Sequence, residues 1–203
     1  MWLTALGNIH VSRTDAKKWD AKYAGPGRPD PDPIPFLKDH IGNLGSGQAL
    51  VLASGRGRNA LYLAEMGFDV TALDVSVVGL EQCRVAAASR GLEIRILCED
   101  LDTYELGSDR YDLITMFYYH QPSLFPSIRK AIKPGGYFLF CTFGTRHAEI
   151  GTLGTLNPKF LASRKDVEDA FSRDAIRILE EPVIENNDGV EALLQAIVQI
   201  NTS

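Results

Sequence analysis

QALVLASGRGRNALYLAEMGFDVTALDVS, residues 48–76, is the stretch that decides the fold. Its apolar run at 49–52 is too short for a helix and predicts a buried strand. A turn with two glycines follows, and the amphipathic run at 60–66 then predicts a short helix. A second predicted strand, 69–73, leads to the carboxylate of Asp74. Strand, glycine turn, helix, strand and acid together are typical of a nucleotide-binding βαβ unit, in which the acid accepts hydrogen bonds from ribose hydroxyls.

Composition narrows the class of protein. A length of 203 residues with 45% hydrophobic residues predicts one globular domain over residues 1–203. The net charge of −5 argues against a nucleic-acid partner, because proteins that bind phosphate backbones usually carry a basic face. No run approaches the roughly 18 apolar residues that would cross a bilayer, so we expect no membrane partner. The sequence leaves the oligomeric state open.

The three cysteines and the first residues bear on cellular location. Cys83, Cys98 and Cys141 lie in or beside apolar runs and share no metal-ligand spacing. They predict buried, reduced thiols and no metal site. The start, MWLTALGNIHVSR, lacks the pattern of a signal peptide. We therefore expect a cytoplasmic protein.

The rest of the chain predicts further strand–helix repeats and a terminal hairpin. Helices are predicted at 14–23, 32–43, 77–90, 122–130 and 164–172, and further strands at 93–98, 111–117, 137–143, 175–181 and 191–200. The residues KPGG at 133–136 predict a turn, and 145–159 predict a loop. No crossover helix fits between the last two strands, so they should pair antiparallel. The pattern as a whole predicts an α/β fold.

Three pieces of the sequence resemble class I S-adenosylmethionine-dependent methyltransferases, in particular the small tellurite-resistance and thiopurine-methyltransferase-like branch. These pieces are WDAKY at 19–23, GRGRNALYLAEMGFDVTALDVS at 55–76 and IKPGGYFLF at 132–140. The resemblance implies a Rossmann-like, seven-stranded, mostly parallel sheet with an antiparallel C-terminal strand and helices on both faces. It also implies S-adenosylmethionine as cofactor, a small-molecule acceptor, a core over 33–203 and an N-terminal lid segment over 1–32.

The resemblance assigns roles to individual residues. It places the methionine part of the cofactor at Ala53, Ser54, Gly55 and Gly57, and the carboxylate of that methionine part near Arg58 and Asn59. It places the ribose at Asp74, Val75 and Ser76, and the adenine at Asp100 and Leu101. The resemblance also places the reactive end near Phe117 and a lid at Trp19 and Tyr23. Two positions depart from the pattern, since Val51 replaces the usual acid and Ala53 the first glycine. The missing acid normally helps to seat the cofactor's ammonium group, and alanine fits the turn if its φ is negative.

Two other functions fit the same residues. Gly55-x-Gly57-x-x-Ala60 also satisfies the dinucleotide fingerprint, with Asp74 near the expected offset of about 20 residues, so an NAD-dependent oxidoreductase is an alternative. The departures at Val51 and Ala53 suggest a second alternative, a catalytically degenerate cofactor-binding module. The short chain, the terminal hairpin and the acid after the third strand favour the methyl donor.

Candidate catalytic residues follow the strand predicted at 111–117. Tyr118 and His120 come where such sheets place their ligand crevice. His120, with an ordinary pKa of about 6.5, suits a general base, although it can equally cap or pack against the next helix. Arg146 and His147 either line the acceptor pocket or are loop polar residues. Because positioning can suffice for attack on a sulfonium methyl group, a thiolate or a tellurium or selenium oxyanion would need no base.

Overall fold

The computed structural model describes residues 13–25 and 32–202. The helices are α1 (Arg13–Ala24), α2 (Pro35–His40), α3 (Arg58–Glu65), α4 (Val77–Ser89), α5 (Phe125–Ala131), α6 (His147–Ile150) and α7 (Arg164–Ala170). The strands are β1 (Gln48–Leu52), β2 (Asp69–Asp74), β3 (Ile94–Cys98), β4 (Tyr111–Phe117), β5 (Ile132–Phe143), β6 (Ala175–Glu180), β7 (Val183–Asn186) and β8 (Gly189–Gln199). Within these residues no helix has the length and apolar character to span a membrane.

The strands form one eight-stranded sheet in the order β3-β2-β1-β4-β5-β8-β6, and β7 pairs with β8. β1 to β5 run parallel to their neighbours, whereas β8 is antiparallel to β5, β6 and β7. The predicted α/β fold with an antiparallel C-terminal strand is confirmed. The sheet has one strand more than the seven expected, because β7 pairs with the beginning of β8.

Apolar side chains cover both faces of the sheet. Along β4, Leu113 belongs to one buried cluster and Ile114 to the other, as the alternation of side chains along a strand requires. Phe125 of α5 and Phe171 pack in the cluster of Ile114. Residues of α2, α3 and α4 pack in the cluster of Leu113. The parallel strands are thus buried between two layers of helices, which explains their nearly continuous apolar runs.

The order of the strands reverses between β1 and β4. The chain passes from β1 outward through β2 to β3, and β4 then returns to the other side of β1. Ligands of open α/β sheets bind in the crevice outside the carboxyl ends of the strands at such a reversal. The loops that follow β1, β2, β3 and β4 therefore frame the candidate site.

Two local predictions need correction. Residues 133–136 form a bulge within β5 rather than a separate turn. On β4, Tyr111 pairs with Ile132 and Leu113 pairs with Tyr137, so the single residue Asp112 lies opposite the four residues 133–136. Gly135 supplies the positive φ, +83°, that the bulge requires. The predicted loop at 145–159 contains the short helix α6. The predicted lid segment, 1–32, lies partly outside the described residues.

Candidate functional site

The loop after β1 is a tight turn with left-handed backbone. Ala53, Gly55 and Gly57 have φ values of +49°, +55° and +84°. The Gly57 N–H donates to the Ser54 carbonyl at 2.9 Å, and the Ser54 N–H donates to the Leu73 carbonyl of β2 at 3.0 Å. Alanine was expected to fit at position 53 only with a negative φ, and the positive φ of Ala53 does not meet that expectation. A β-carbon in this region of backbone space costs about 1–2 kcal/mol.

The carboxylate of Asp74, at the end of β2, closes this turn. Its Oδ2 accepts a hydrogen bond from the Gly55 N–H at 2.7 Å, and its Oδ1 accepts one from the Ser76 N–H at 2.8 Å. Asp74 is 6% exposed, and burial raises the pKa of its carboxyl while these hydrogen bonds oppose the rise. A carboxylate has about four acceptor positions, so the backbone N–H groups of Gly55, Val75 and Ser76 leave it able to accept a further hydrogen bond from a ligand's hydroxyl.

The residues after Asp74 connect the turn to α4 and α1. The Ser76 hydroxyl accepts a hydrogen bond from the Gly79 N–H at 3.1 Å, which caps α4, and donates to Asp20 Oδ1 at 2.5 Å. The same Asp20 oxygen accepts the Val78 N–H at 3.1 Å. Val75 is half-buried, and its carbonyl accepts a weak hydrogen bond from a thiol of β3. The Ser76 side chain thus serves the helix cap and the attachment of α1.

Of the two predicted lid residues, Tyr23 lies against the glycine turn and Trp19 stacks on Tyr23. Trp19 and Tyr23 stack with their ring centroids 5.8 Å apart. A β-carbon added to Gly55 would lie 2.6 Å from the Tyr23 hydroxyl, and one added to Gly79 would lie 2.9 Å from the Tyr23 ring. The Tyr23 carbonyl accepts a hydrogen bond from Arg56 at 2.8 Å. Helix α1 is therefore fastened across the turn, with the Tyr23 phenol directly against its backbone.

Other residues of the turn serve its packing. A β-carbon on Gly57 would lie 2.1 Å from the Cys83 sulfur, so this glycine allows α4 to approach. The Asn59 side-chain oxygen accepts the Ile34 N–H at 3.0 Å, which fixes the chain before α2. The buried Ser54 hydroxyl has no hydrogen-bond partner among the described residues. Ser54 thus places an unpartnered, buried hydroxyl within the turn.

The acid after β3 belongs to a turn at the edge of the crevice. Asp100 Oδ1 accepts the Asp102 N–H at 2.9 Å, and its carbonyl accepts the Tyr104 N–H at 2.8 Å. The Leu101 side chain is 8% exposed and packs in a core cluster. The carboxylate of Asp100 is thereby oriented locally, while Leu101 contributes to the core.

At the end of β4, the predicted site residue Tyr118 contacts a carboxylate that the sequence did not indicate, that of Glu191. Phe117 is buried, and the chain turns at Tyr118, whose φ of +54° is unusual for a bulky residue. The Tyr118 hydroxyl donates to Glu191 Oε2 at 3.3 Å, and the Arg58 guanidinium lies 5.8 Å from the centre of its ring. Burial raises the pKa of the Tyr118 phenol, so it is a hydrogen-bond donor at neutral pH.

His120 lies apart from Tyr118. Tyr118 packs against Phe143, in the cluster of Leu113, whereas His120 lies near Phe140, in the cluster on the other face. Its side chain is 6% exposed, and its Nε2 is 3.5 Å from Asp166 Oδ2, longer than a normal hydrogen bond. Burial lowers the pKa of His120 against the opposing effect of Asp166. No ring nitrogen of His120 has a hydrogen-bond partner in the described part of the chain.

His147 has a structural role. It is fully buried, its Nδ1 accepts the Ala192 N–H at 3.1 Å, and its Nε2 lies 2.6 Å from the Leu153 carbonyl. These partners make Nε2 the protonated nitrogen. Arg146 is exposed just before it. Of the two readings of this loop, His147 fits the packing role, since both its nitrogens are used within the chain.

Residues 49–136 match the family model of a methyltransferase domain. Hemagglutinin 1 of Eikenella corrodens is 29% identical over 110 residues, which cover 51% of this chain and 36% of that protein. A ubiquinone biosynthesis O-methyltransferase of Pectobacterium atrosepticum is 25% identical over 140 residues, 66% of this chain and 58% of that protein. The chain spans less than two thirds of the length of either relative.

Solved structures share the fold. TehB from Haemophilus influenzae gives a TM-score of 0.70 at 18% identity, covering 91% of this chain and 66% of that one. A structure described as "Conversion of a Disulfide Bond into a Thioacetal Group during Echinomycin Biosynthesis" gives 0.69 at 20% identity, covering 92% of both chains. An S-adenosylmethionine-dependent methyltransferase from Mesorhizobium loti gives 0.65 at 20% identity, covering 81% and 96%. TehB is one of many such neighbours, so the tellurite-resistance branch is not singled out. Residues 49–136 therefore match a methyltransferase domain, and the chain has the Rossmann-like fold of S-adenosylmethionine-dependent methyltransferases of known structure.

Proposed function

We propose that this chain transfers a methyl group from S-adenosylmethionine to a small-molecule acceptor. The observation that carries the proposal is the Asp74 carboxylate. Two backbone N–H groups orient it at the reversal point of the sheet, directly beside the glycine turn. A buried, oriented carboxylate in this place is suited to a pair of vicinal hydroxyls, such as those of a ribose.

The remaining residues of the turn fit the same ligand. The unpartnered hydroxyl of Ser54 lies in the turn and would hydrogen-bond the polar end of the donor. Arg58, at the start of α3, would pair with the donor's carboxylate, and Asp100 would accept from the adenine amino group. Trp19 and Tyr23 would cover the donor from α1. When bound, the donor supplies a sulfonium methyl group that is already activated for attack, so these residues need only hold and orient it.

The acceptor is proposed to be small. We assign the whole chain to one domain. The crevice over β4 and β5 is proposed as the side on which the acceptor binds. The three sequence pieces that resemble the tellurite-resistance-like branch support placing the chain in that branch. The relative named as an O-methyltransferase and the neighbour named for a thioacetal support oxygen and sulfur as acceptor atoms. The choice between them depends on whether the site holds a base.

Titration calorimetry with S-adenosylhomocysteine, S-adenosylmethionine and NAD in parallel tests the cofactor. We expect dissociation constants of about 1–100 µM for the first two ligands, which corresponds to about −8 to −5.5 kcal/mol, and no heat with NAD. Saturable binding of NAD in preference to the methyl donor would establish the oxidoreductase instead. Absence of binding by the first two ligands would refute the proposal.

One set of observations favours a second candidate, a cofactor-binding module without turnover. Val51, in place of the usual acid, is 2% exposed and packs in the core, and Ala53 stands at a strained φ. Both changes affect the seat of the donor's methionine end. Transfer of label from methyl-labelled S-adenosylmethionine to any thiol or phenol, above the rate without protein, would eliminate this candidate.

A further inference from the structure

Four elements bring polar groups together at the end of β4. Arg58 comes from α3, Tyr118 follows β4, Cys141 belongs to β5, and Glu191 belongs to β8. Burial raises the pKa of the Cys141 thiol to about 12. The Glu191 carboxylate adds to this rise of the thiol pKa, whereas a hydrogen bond with Gln195 and the Arg58 guanidinium oppose it. The Glu191 carboxylate and the Arg58 guanidinium thus both lie within electrostatic reach of one buried thiol, as well as of Tyr118.

This cluster adjoins the glycine turn. Arg58 is the first residue of α3, directly after Gly57, and its guanidinium lies 5.8 Å from the centre of the Tyr118 ring. The Tyr118 hydroxyl reaches Glu191 at 3.3 Å. Glu191 is therefore linked through one side chain to the turn that is proposed to hold the donor. Glu191 as a residue is half-buried rather than enclosed in the core.

The backbone of Tyr118 indicates that this arrangement is imposed by the surrounding structure. Its φ of +54° places a bulky side chain in the left-handed region, which L-residues with a large side chain disfavour. The packing of its ring against Phe143, with centroids 5.3 Å apart, holds it there. Strained residues of this kind cluster at ligand-binding sites, where they aim a side chain that relaxed backbone would point elsewhere.

We propose that Glu191 accepts the proton of the hydroxyl group that is methylated, with Tyr118 as a positioning residue. This inference rests on the proposed function. The acceptor oxygen forms a bond to the methyl carbon, the carbon–sulfur bond of the donor breaks, and its electron pair stays on sulfur. The proton of the hydroxyl passes to the Glu191 carboxylate. Partial proton transfer to a positioned base of this kind accelerates a reaction by about 10²–10⁴-fold.

The same contacts name the chemical class of the acceptor. Glu191 already accepts a hydrogen bond from one phenol, that of Tyr118. A carboxylate has about four acceptor positions, so a second phenol can bind beside the first. The Tyr118 ring packs edge-on against the buried Phe143 ring, which holds the Tyr118 hydroxyl at Glu191. The geometry therefore favours a phenol over an acceptor that is already ionised, for which a base would be redundant.

Methyl transfer to catechol, measured with methyl-labelled S-adenosylmethionine, tests the inference. At neutral pH we expect Glu191→Gln to slow this transfer by about 10²–10⁴-fold. The rate should recover as the pH rises and catechol ionises without a base. Glu185→Gln, an exposed glutamate on β7 of the same hairpin, should stay within about twofold of the wild-type rate. An aryl thiol, which is ionised at neutral pH, should be methylated equally by wild type and Glu191→Gln.

The outcomes separate this inference from the proposed function. If the wild type binds S-adenosylhomocysteine but does not methylate catechol, the inference is overturned and the proposed function stands. An unchanged rate or pH profile in Glu191→Gln would also overturn it. Equal losses with catechol and the thiol would mean that Glu191 only supports the hairpin. Failure to bind S-adenosylhomocysteine would refute both.

Discussion

Replacing Ala53 with glycine should raise the free energy of unfolding, because Ala53 has a φ of +49°. An alanine β-carbon crowds the backbone in this region, which costs about 1–2 kcal/mol. Glycine removes that cost but gives the unfolded chain more freedom, worth about 0.4–1 kcal/mol in the opposite direction. It also deletes a half-buried methyl group, worth less than about 0.8 kcal/mol. The net change should be a gain of about 0.5 kcal/mol.

Ala88→Gly provides the matched control. Ala88 is exposed on α4, where the helical backbone suits alanine, so glycine should lower the free energy of unfolding by about 0.5–1 kcal/mol. Urea unfolding of the two variants should therefore give midpoints shifted in opposite directions from that of the wild type, with unchanged m-values. Equal losses of stability in both variants would show that the backbone at Ala53 is not left-handed, and the reasoning would fail.

Two further predictions concern packing and pH. Gly57→Ala should lower the free energy of unfolding by about 2 kcal/mol or more, because its β-carbon would lie 2.1 Å from the Cys83 sulfur at a φ of +84°. Adding Cys83→Ala should recover part of this loss in a double-mutant cycle, and strictly additive losses would contradict the contact. Burial lowers the pKa of His120 in the folded state, so this histidine is protonated at a higher pH in the unfolded chain than in the folded one. The free energy of unfolding should therefore fall as the pH drops below about 6.5. His120→Gln should flatten this dependence in urea unfolding between about pH 7 and 5, and parallel curves for the two proteins would contradict it.

The sequence predicts the parallel strands well, for a physical reason. A strand buried on both faces is a continuous apolar run, and β4 begins and ends where that run does. β7 was missed because its residues, VIEN, are short and half polar, and only the pairing with β8 makes them a strand. Residues 133–136 carry the composition of a turn, but the paired positions on either side of them, Tyr111 with Ile132 and Leu113 with Tyr137, keep them within β5.

The candidate site also has a part that the sequence predicts and a part that it does not. The glycine turn and Asp74 follow from spacing along one βαβ unit, so the sequence indicates them directly. Glu191 is 73 residues from its partner Tyr118, and Asp20 is 56 residues from Ser76, so no local pattern joins either pair. Tyr118 and His120 look like neighbours in the sequence. The left-handed turn at Tyr118 breaks the alternation of the strand, and the two side chains lie against opposite faces of the sheet.

The most direct test of the central claim compares two aspartates of β2 by calorimetry with S-adenosylhomocysteine. Asp74 ends the strand at the crevice. Asp69 begins it at the opposite end, where its exposed carboxylate accepts a hydrogen bond from the Gln48 side chain. Asp74→Asn should weaken binding by about 10–100-fold, because hydrogen bonds to a charged group are worth about 1.5–3 kcal/mol. Asp69→Asn should bind as the wild type does. Equal affinity in the two folded variants would contradict the placement of the methyl donor at Asp74.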